Sequence, residues 1–234
     1  ATAMSRSATL HNVDIQFLLI AAVILLLGVF IWRLRRLLRV AQEEGFASAS
    51  VFAAFASRWA LFGGLAIFLY VGAEVSIGSI MINFLHTPSI MNVSFEKAGR
   101  LLSLYWGGAM VGRGLGSLIL TRIPASRVLA VASAVALLLC LVVTQRGGLV
   151  ASLFGEMSAG SIAGWAAIAV GFFNSIMFPT IFTLTLERSN APTPSTSGLL
   201  CMAIVGGAIL PVITGYAADQ IGIALAFFVP CVSY

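Results

Sequence analysis

The sequence predicts an all-α, polytopic membrane helix bundle, and three observations carry that prediction. Hydrophobic residues make up 60% of the chain, charged residues only 9%, and mean hydropathy is +1.05, whereas soluble domains carry about 25% charged residues. The apolar residues gather into runs close to the roughly 20 residues that a bilayer crossing needs. The short breaks between those runs hold most of the thirteen lysines and arginines. A formal charge of +5 therefore reads as a topology signal, and no nucleic-acid partner is expected.

The first span covers residues 15–32, without a charge. A polar stretch with His11, Asn12 and Asp14 precedes it and Arg33 follows it, a stop-transfer pattern rather than a cleavable signal peptide. Residues 33–58 then mix arginines with Leu37, Leu38, Val40 and Phe46, as an amphipathic linker lying on the membrane surface would. Span two is expected over 59–85, span three over 101–120, span four over 128–144, span five over 161–186 and span six over 198–218. A seventh begins near residue 221 and is still apolar at Tyr234, short of a full crossing.

Orientation follows from the basic residues. Arg33, Arg35, Arg36, Arg39, Arg58, Arg122, Arg127 and Arg188 fall on one side of the alternating loops, against Arg6, Lys97, Arg100 and Arg146 on the other. The excess places the 33–58 linker in the cytoplasm and the N-terminus outside. An outside N-terminus without a signal peptide, together with the short seventh span, predicts a piece of a longer protein. The expected organisation is an outside tail and helix (1–32), a cytoplasmic linker (33–58) and a transmembrane bundle (59–234). Within the bundle, spans two to four and five to seven form two triplets that begin on opposite sides of the bilayer. Each opens with its longest span and a mid-depth polar residue, which is the pattern of an inverted repeat in transporters.

Those polar residues are Glu74 and Asn174. Glu74 lies about 15 residues, roughly 22 Å, from the cytoplasmic end of span two. A carboxylate at mid-bilayer costs about 2.5–3.5 kcal/mol on insertion scales, so it is expected to face protein or a water-filled path; the alternative is a protonated or paired structural group. Tyr70, Glu74, Ile77 and Met81 share a helix face, whereas Ser76, Ser79 and Asn83 point nearly opposite. Unwinding at Gly72 and Gly78 would relax that limit. Asn174, with Phe178 and Ile181 after it on the same face, pairs an amide with aromatic rings. That combination suits a sugar's hydroxyls and C–H faces, and serves equally as interhelical glue.

Pro179 is expected to kink span five, with Thr180 or Thr183 satisfying the carbonyl it frees. Arg113 lies about 12 Å from the level of Glu74 by helical rise, so a direct pair is not expected; snorkelling or holding loop carbonyls fits it better. Gly107, Gly108, Gly112 and Gly116 in span three, and Gly206, Gly207 and Gly215 in span six, read as surfaces of close helix approach. Cys140, Cys201 and Cys231 lie in apolar runs without a CxxC spacing or neighbouring ligands; they are expected to be buried, reduced thiols, with no metal and no cofactor implied. Asn92-Val93-Ser94 matches a glycosylation acceptor on an outside loop, a pattern common by chance.

Four stretches taken together extend this reading: Tyr70 to Ser79 (YVGAEVSIGS), Gly108 to Arg113 (GAMVGR), Gly171 to Phe182 (GFFNSIMFPTIF) and Gly198 to Pro211 (GLLCMAIVGGAILP). In this order they resemble the bacterial glucose/galactose transporters of the fucose:proton symporter family, in the major facilitator superfamily. The resemblance covers almost the whole chain from about residue 59. It implies the C-terminal six-helix half of a twelve-helix transporter of the bacterial cytoplasmic (inner) membrane, plus the one preceding helix, so that residues 1–32 would hold the last helix of the N-terminal bundle. Spans two and five would then be the cavity-lining helices seven and ten.

The substrate path implied is Glu74, Asn174, Tyr70, Phe178 and Asn83, with Arg113, Pro179, Gly72 and Gly78 as gating or structural residues. The implied partners are a hexose, a proton or sodium ion, the lipid bilayer and an N-terminal helix bundle of the same protein. The proton-coupling carboxylates of the family's helices one and four have no counterpart among these residues. A hexose:cation symporter working by alternating access is thus the leading expectation, with a truncated, non-transporting structural or interaction protein as the alternative. An enzyme fits poorly. The only lysine, Lys97, lies in a loop, where a retinal Schiff base is not formed, and His11 and His86 lie near or beyond span ends, away from where an intramembrane protease needs its base.

Overall fold

The structure, a computed structural model, describes residues 3–34, 50–145 and 149–234. All regular structure among them is helical, and the chain divides into two units, Ala1–Ser48 and Ala49–Tyr234. Most of the expected surface linker, residues 35–49, and the loop residue Arg146 lie outside the described residues.

In the first unit, helix α1 (Ala3–Leu34) contains a crossing-length stretch, Asp14–Leu34, none of it buried. Phe17, Leu18, Leu25, Leu26 and Trp32 all stand exposed. A helix apolar on every side belongs in lipid or among other helices.

The second unit opens with a 3₁₀ turn, Val51–Ala56, before α2 (Arg58–His86). Ser57 caps α2 by accepting from the Ala60 amide at 3.4 Å, and Thr87 ends it by donating amide and hydroxyl back to the Asn83 carbonyl. Pro88 follows, as is common just past a helix end. In the return loop the His86 ring lies 2.8 Å from the Val93 carbonyl and stacks on Phe95. Ser94 then caps α3 (Phe95–Leu120), whose first turn carries Glu96, favourably placed for the helix dipole and paired with Arg100 one turn on. Next come α4 (Ala125–Thr144) and the short α5 (Leu149–Phe154).

Span five is not one helix. It is built from α6 (Glu156–Asn174) and α7 (Met177–Arg188), interrupted at Ser175 and Ile176. Span six is likewise divided into α8 (Thr193–Ala203) and α9 (Gly206–Ile221), interrupted at Ile204 and Val205, with Pro211 inside α9. A 3₁₀ turn at Leu225–Phe227 and α10 (Phe228–Ser233) complete the chain. Among the described residues, five stretches can cross a membrane by length and composition: Asp14–Leu34, Arg58–His86, Ala125–Thr144, Ala159–Arg188 and Thr193–Ile221. Helix α3 is long enough at 26 residues but less apolar, because Lys97, Arg100, Arg113 and its glycines interrupt it.

α2 is the axis of the second unit and packs against α3, α7, α8, α9 and α10. Its inner face, Ile67, Tyr70, Ile77, Met81, Phe84 and Leu85, meets Tyr105 of α3 and Phe227 in the core, with the Phe84 and Phe227 rings 4.8 Å apart. Small residues set the spacing. Gly206 of α9 lies directly on the Phe68 backbone carbonyl of α2, and a β-carbon at Gly112 of α3 would stand 2.5 Å from the Phe172 carbonyl of α6. Without a hydrophobic drive between helices in lipid, such close backbone approach is a main source of association.

The two expected glycine breaks do not occur: α2 runs unbroken through Gly72 and Gly78. Gly72 receives the Leu210 side chain and Gly78 the edge of Trp106, so both admit neighbours instead of releasing the backbone. One thiol also differs from expectation. Cys140 and Cys231 are buried, but Cys201 is exposed, because the face of α8 that carries it and Met202 is turned out of the bundle.

Candidate functional site

Midway along α2 the chain brings three helices together through hydroxyl and amide groups. The Tyr70 hydroxyl donates to the backbone carbonyl of Asn174 at 2.9 Å, and Asn174 Nδ2 donates to the Tyr105 hydroxyl at 3.1 Å. The Tyr105 hydroxyl in turn donates to the Glu74 carbonyl at 3.1 Å. Asn174 is fully buried. Its Oδ1 has no partner at hydrogen-bond geometry among the described residues, although the Tyr234 hydroxyl lies near enough to interact. Asn174 therefore sits in the interior of the bundle as a pin between α6, α2 and α3, and the wall of the cavity described next is formed by other residues.

Beside this pin lies a cavity of about 320 Å³ lined by Tyr70, Val71, Glu74, Arg113, Phe178, Pro179 and Ile204. Tyr70 and Glu74 come from successive turns of α2, Arg113 from α3, and Phe178 and Pro179 from the first turn of α7, just past the break in span five. The volume falls at the small end of the roughly 300–1,000 Å³ range of ligand pockets. Glu74 is half-buried, adjacent to the Tyr70 hydroxyl and within electrostatic reach of the Arg113 guanidinium. Among the described residues the one ion pair within 4 Å is Arg100 with Glu96. Glu74 and Arg113 thus face one space without closing on each other.

The separation by level expected from helical rise holds to the extent that no direct pair forms, although the Arg113 side chain lines the same cavity as Glu74. It does so while tethered. Arg113 Nε donates to the Ser175 carbonyl at 3.2 Å, and that carbonyl is the one left without an intrahelical donor because residue 179, four positions on, is a proline. The expected donors act elsewhere. The Thr183 hydroxyl goes to the Pro179 carbonyl at 2.8 Å, and the buried Thr180 hydroxyl has no partner among the described residues.

The break also separates two residues expected on one face, because it resets the helical phase: Phe178 lines the cavity while Asn174 is sequestered inside. Asn83 lies exposed near the outer end of α2, away from the cavity, with its carbonyl taken by Thr87. Ser76 is buried with an unpartnered hydroxyl, and the Ser79 hydroxyl bonds the Ser76 carbonyl at 2.8 Å. Sequence reasoning passed over Tyr105. A phenol inside an apolar span needs a polar partner when buried, and that is the signal the sequence carries at Tyr105.

A larger cavity of about 390 Å³ lies between α3, α4 and α6, but its lining is apolar apart from Ser175 and a rim arginine, Arg127. It holds neither Glu74 nor Asn174. The chemistry points to the smaller space.

The described helices form a bundle with interrupted spans and a cavity lined by a carboxylate, and the fold is that of a major facilitator transporter. The crystal structure of the major facilitator transporter FucP in its outward conformation superposes with a TM-score of 0.74 over 100% of this chain and 56% of that one, at 24% identity. In sequence, a glucose/galactose transporter of Brucella abortus is 44% identical over 177 residues, 76% of this chain and 40% of that protein. The L-fucose-proton symporter of Escherichia coli K12 is 27% identical over 95% of this chain and 49% of its own length. No family model matches. In fold the chain is like the major facilitator transporter FucP, and in sequence it is similar to the glucose/galactose transporters and the L-fucose-proton symporter, with several helices long and apolar enough to cross a membrane. It spans about half the length of the curated relatives it matches.

Proposed function

We propose that this chain is the C-terminal part of a secondary active transporter that carries a hexose such as glucose or galactose together with a cation, by alternating access between two helix bundles. The observation that carries the reading is the 320 Å³ cavity midway along α2, in which a carboxylate, a guanidinium, a phenol and the Phe178 ring converge. Those groups match the needs of a sugar, with acceptors and donors for its hydroxyls and a ring for its C–H face. An ionisable residue kept at membrane depth is functional by default. Glu74 and Tyr70 form the substrate wall on α2, Phe178 the stacking wall on α7, and Asn174 holds that wall to α2 from behind. The names of the relatives, glucose/galactose transporter and L-fucose-proton symporter, support both a monosaccharide and a proton as the coupled ion. A non-transporting remnant is not favoured, since the relatives it resembles are named as transporters.

Uptake of labelled glucose and galactose into cells that express the full-length protein tests the reading. Glu74→Gln combined with Asn174→Ala is expected to lower uptake at limiting sugar by about tenfold to a hundredfold, the range for lost hydrogen bonds to charged groups. Uptake equal to wild type would remove these residues from the path.

A further inference from the structure

We propose that Arg113 is a positioning residue that ties the break in span five to the state of the Glu74 cavity: its Nε–H stands in for the amide hydrogen absent at Pro179, and the same guanidinium lines the cavity. This rests on the reading of that cavity as the substrate path.

The need for a surrogate donor is physical. The Ser175 carbonyl belongs to a buried residue inside a membrane span, and an unsatisfied backbone group in hydrocarbon costs several kcal/mol. Pro179 removes the N–H that an uninterrupted helix would supply. The neighbouring donors do not replace it: the Thr180 amide goes to the Ile176 carbonyl at 3.1 Å and the Thr183 hydroxyl to the Pro179 carbonyl. Arg113 reaches the carbonyl because the residue before it, Gly112, lets α3 lie on α6. A β-carbon there would meet the Phe172 carbonyl at 2.5 Å and the Ser175 hydroxyl at 2.6 Å.

A guanidinium has five N–H donors in a fixed fork, and the Ser175 bond occupies one. The others are carried by a side chain that lines the space holding Glu74. A sugar hydroxyl or an ionised Glu74 that draws the fork into the cavity therefore pulls on the hinge between α6 and α7, and α7 carries the Phe178 wall. Arg113 on this account governs how readily span five changes shape, with a smaller part in holding the sugar. Facing Glu74 from the elements around it are Tyr70 on its own helix and Arg113 from α3, while α7 and Ile204 present no charge to the cavity.

The test is a double-mutant cycle in the full-length protein with Arg113→Ala, Pro179→Ala and both, read by uptake kinetics and by thermal unfolding of purified protein in detergent. Pro179→Ala restores an N–H to the Ser175 carbonyl, so the need for Arg113 is removed. Arg113→Ala alone is expected to lower the maximal uptake rate about tenfold or more, the effect of losing a hydrogen bond from a charged group, with KM changed less than about threefold. In the Pro179→Ala background the same substitution is expected to cost less than about threefold in rate and to leave the unfolding temperature unchanged. Equal losses in both backgrounds, in rate and in unfolding, would overturn the surrogate-donor role. Coupling in unfolding alone, with additive losses in rate, would confine Arg113 to the fold and overturn its link to transport. The unfolding cycle needs no substrate, so it stands even if the protein carries no hexose. If Arg113→Ala alone does not fold, recovery of a folded species in the Pro179→Ala background supports the surrogate-donor role, and failure to fold in both backgrounds overturns it.

Discussion

Span two and span five supply the polar groups of the site, both lie among the longest crossings, and both contain residues known to weaken helices, yet only one is broken. α2 holds Gly63, Gly64, Gly72 and Gly78 and remains continuous over 29 residues. Span five breaks after Asn174, one turn before Pro179. The difference lies in what each residue removes. Glycine costs helix propensity of about 1 kcal/mol but keeps its amide hydrogen, and in lipid the backbone has no better partner than its own carbonyl. Proline deletes the donor outright. A break in hydrocarbon is then tolerated where other helices satisfy the freed carbonyls, and here Tyr70 and Arg113 serve the carbonyls of Asn174 and Ser175. The glycines of α2 serve spacing, and the proline of span five serves shape.

The strongest way to break that comparison is to crowd α2. Gly206 presses on the Phe68 carbonyl, which has no side-chain freedom with which to yield, so Gly206→Leu is expected to cost at least the upper end of the about 1–3 kcal/mol of overpacking. The full-length variant should show a strongly lowered unfolding temperature or fail to elute as a folded species. A wild-type melting curve would mean that α2 and α9 are not in close contact. A smaller effect is expected on the other side of the comparison. Asn174→Leu cuts the side-chain bond to Tyr105, and interhelical hydrogen bonds in membranes are worth about 0.6 kcal/mol on average and about 1.7 at most. Its unfolding temperature should fall modestly, and adding Tyr105→Phe should lower it by less than the two single losses summed.

Much of this was legible from residues alone. Charge-free runs marked the spans, because the bilayer imposes one length and one solvent on all of them. Depth picked out Glu74, since a carboxylate stranded in hydrocarbon has few tolerable surroundings. The locations of the breaks and of Arg113 were less accessible. Gly72 and Gly78 and Pro179 all signal helix weakness locally, and which signal is realised depends on donors arriving from other helices. Helical rise places α-carbons by level, which argued correctly against a direct pair but did not show that a long arginine side chain reaches the cavity lined by Glu74. Asn174 and Phe178 parted for a related reason: a shared face holds only while the helix keeps its phase, and two residues of turn between them end it.

The finest discrimination comes from Gly78→Ala. If α2 carried a hinge there, an added methyl would stiffen it and slow uptake, because alanine favours the helix by about 1 kcal/mol over glycine. If Gly78 only makes room for its neighbour, the new β-carbon meets Trp106 Cζ2 at 3.0 Å, a tight contact with an exposed side chain that can move. The propensity gain then offsets the crowding, and the full-length variant should unfold within about 1 kcal/mol of wild type, the size of the propensity term itself, with an unchanged maximal uptake rate. A rate reduced several-fold at undiminished stability would instead assign to span two the flexibility that the unbroken helix argues belongs to span five.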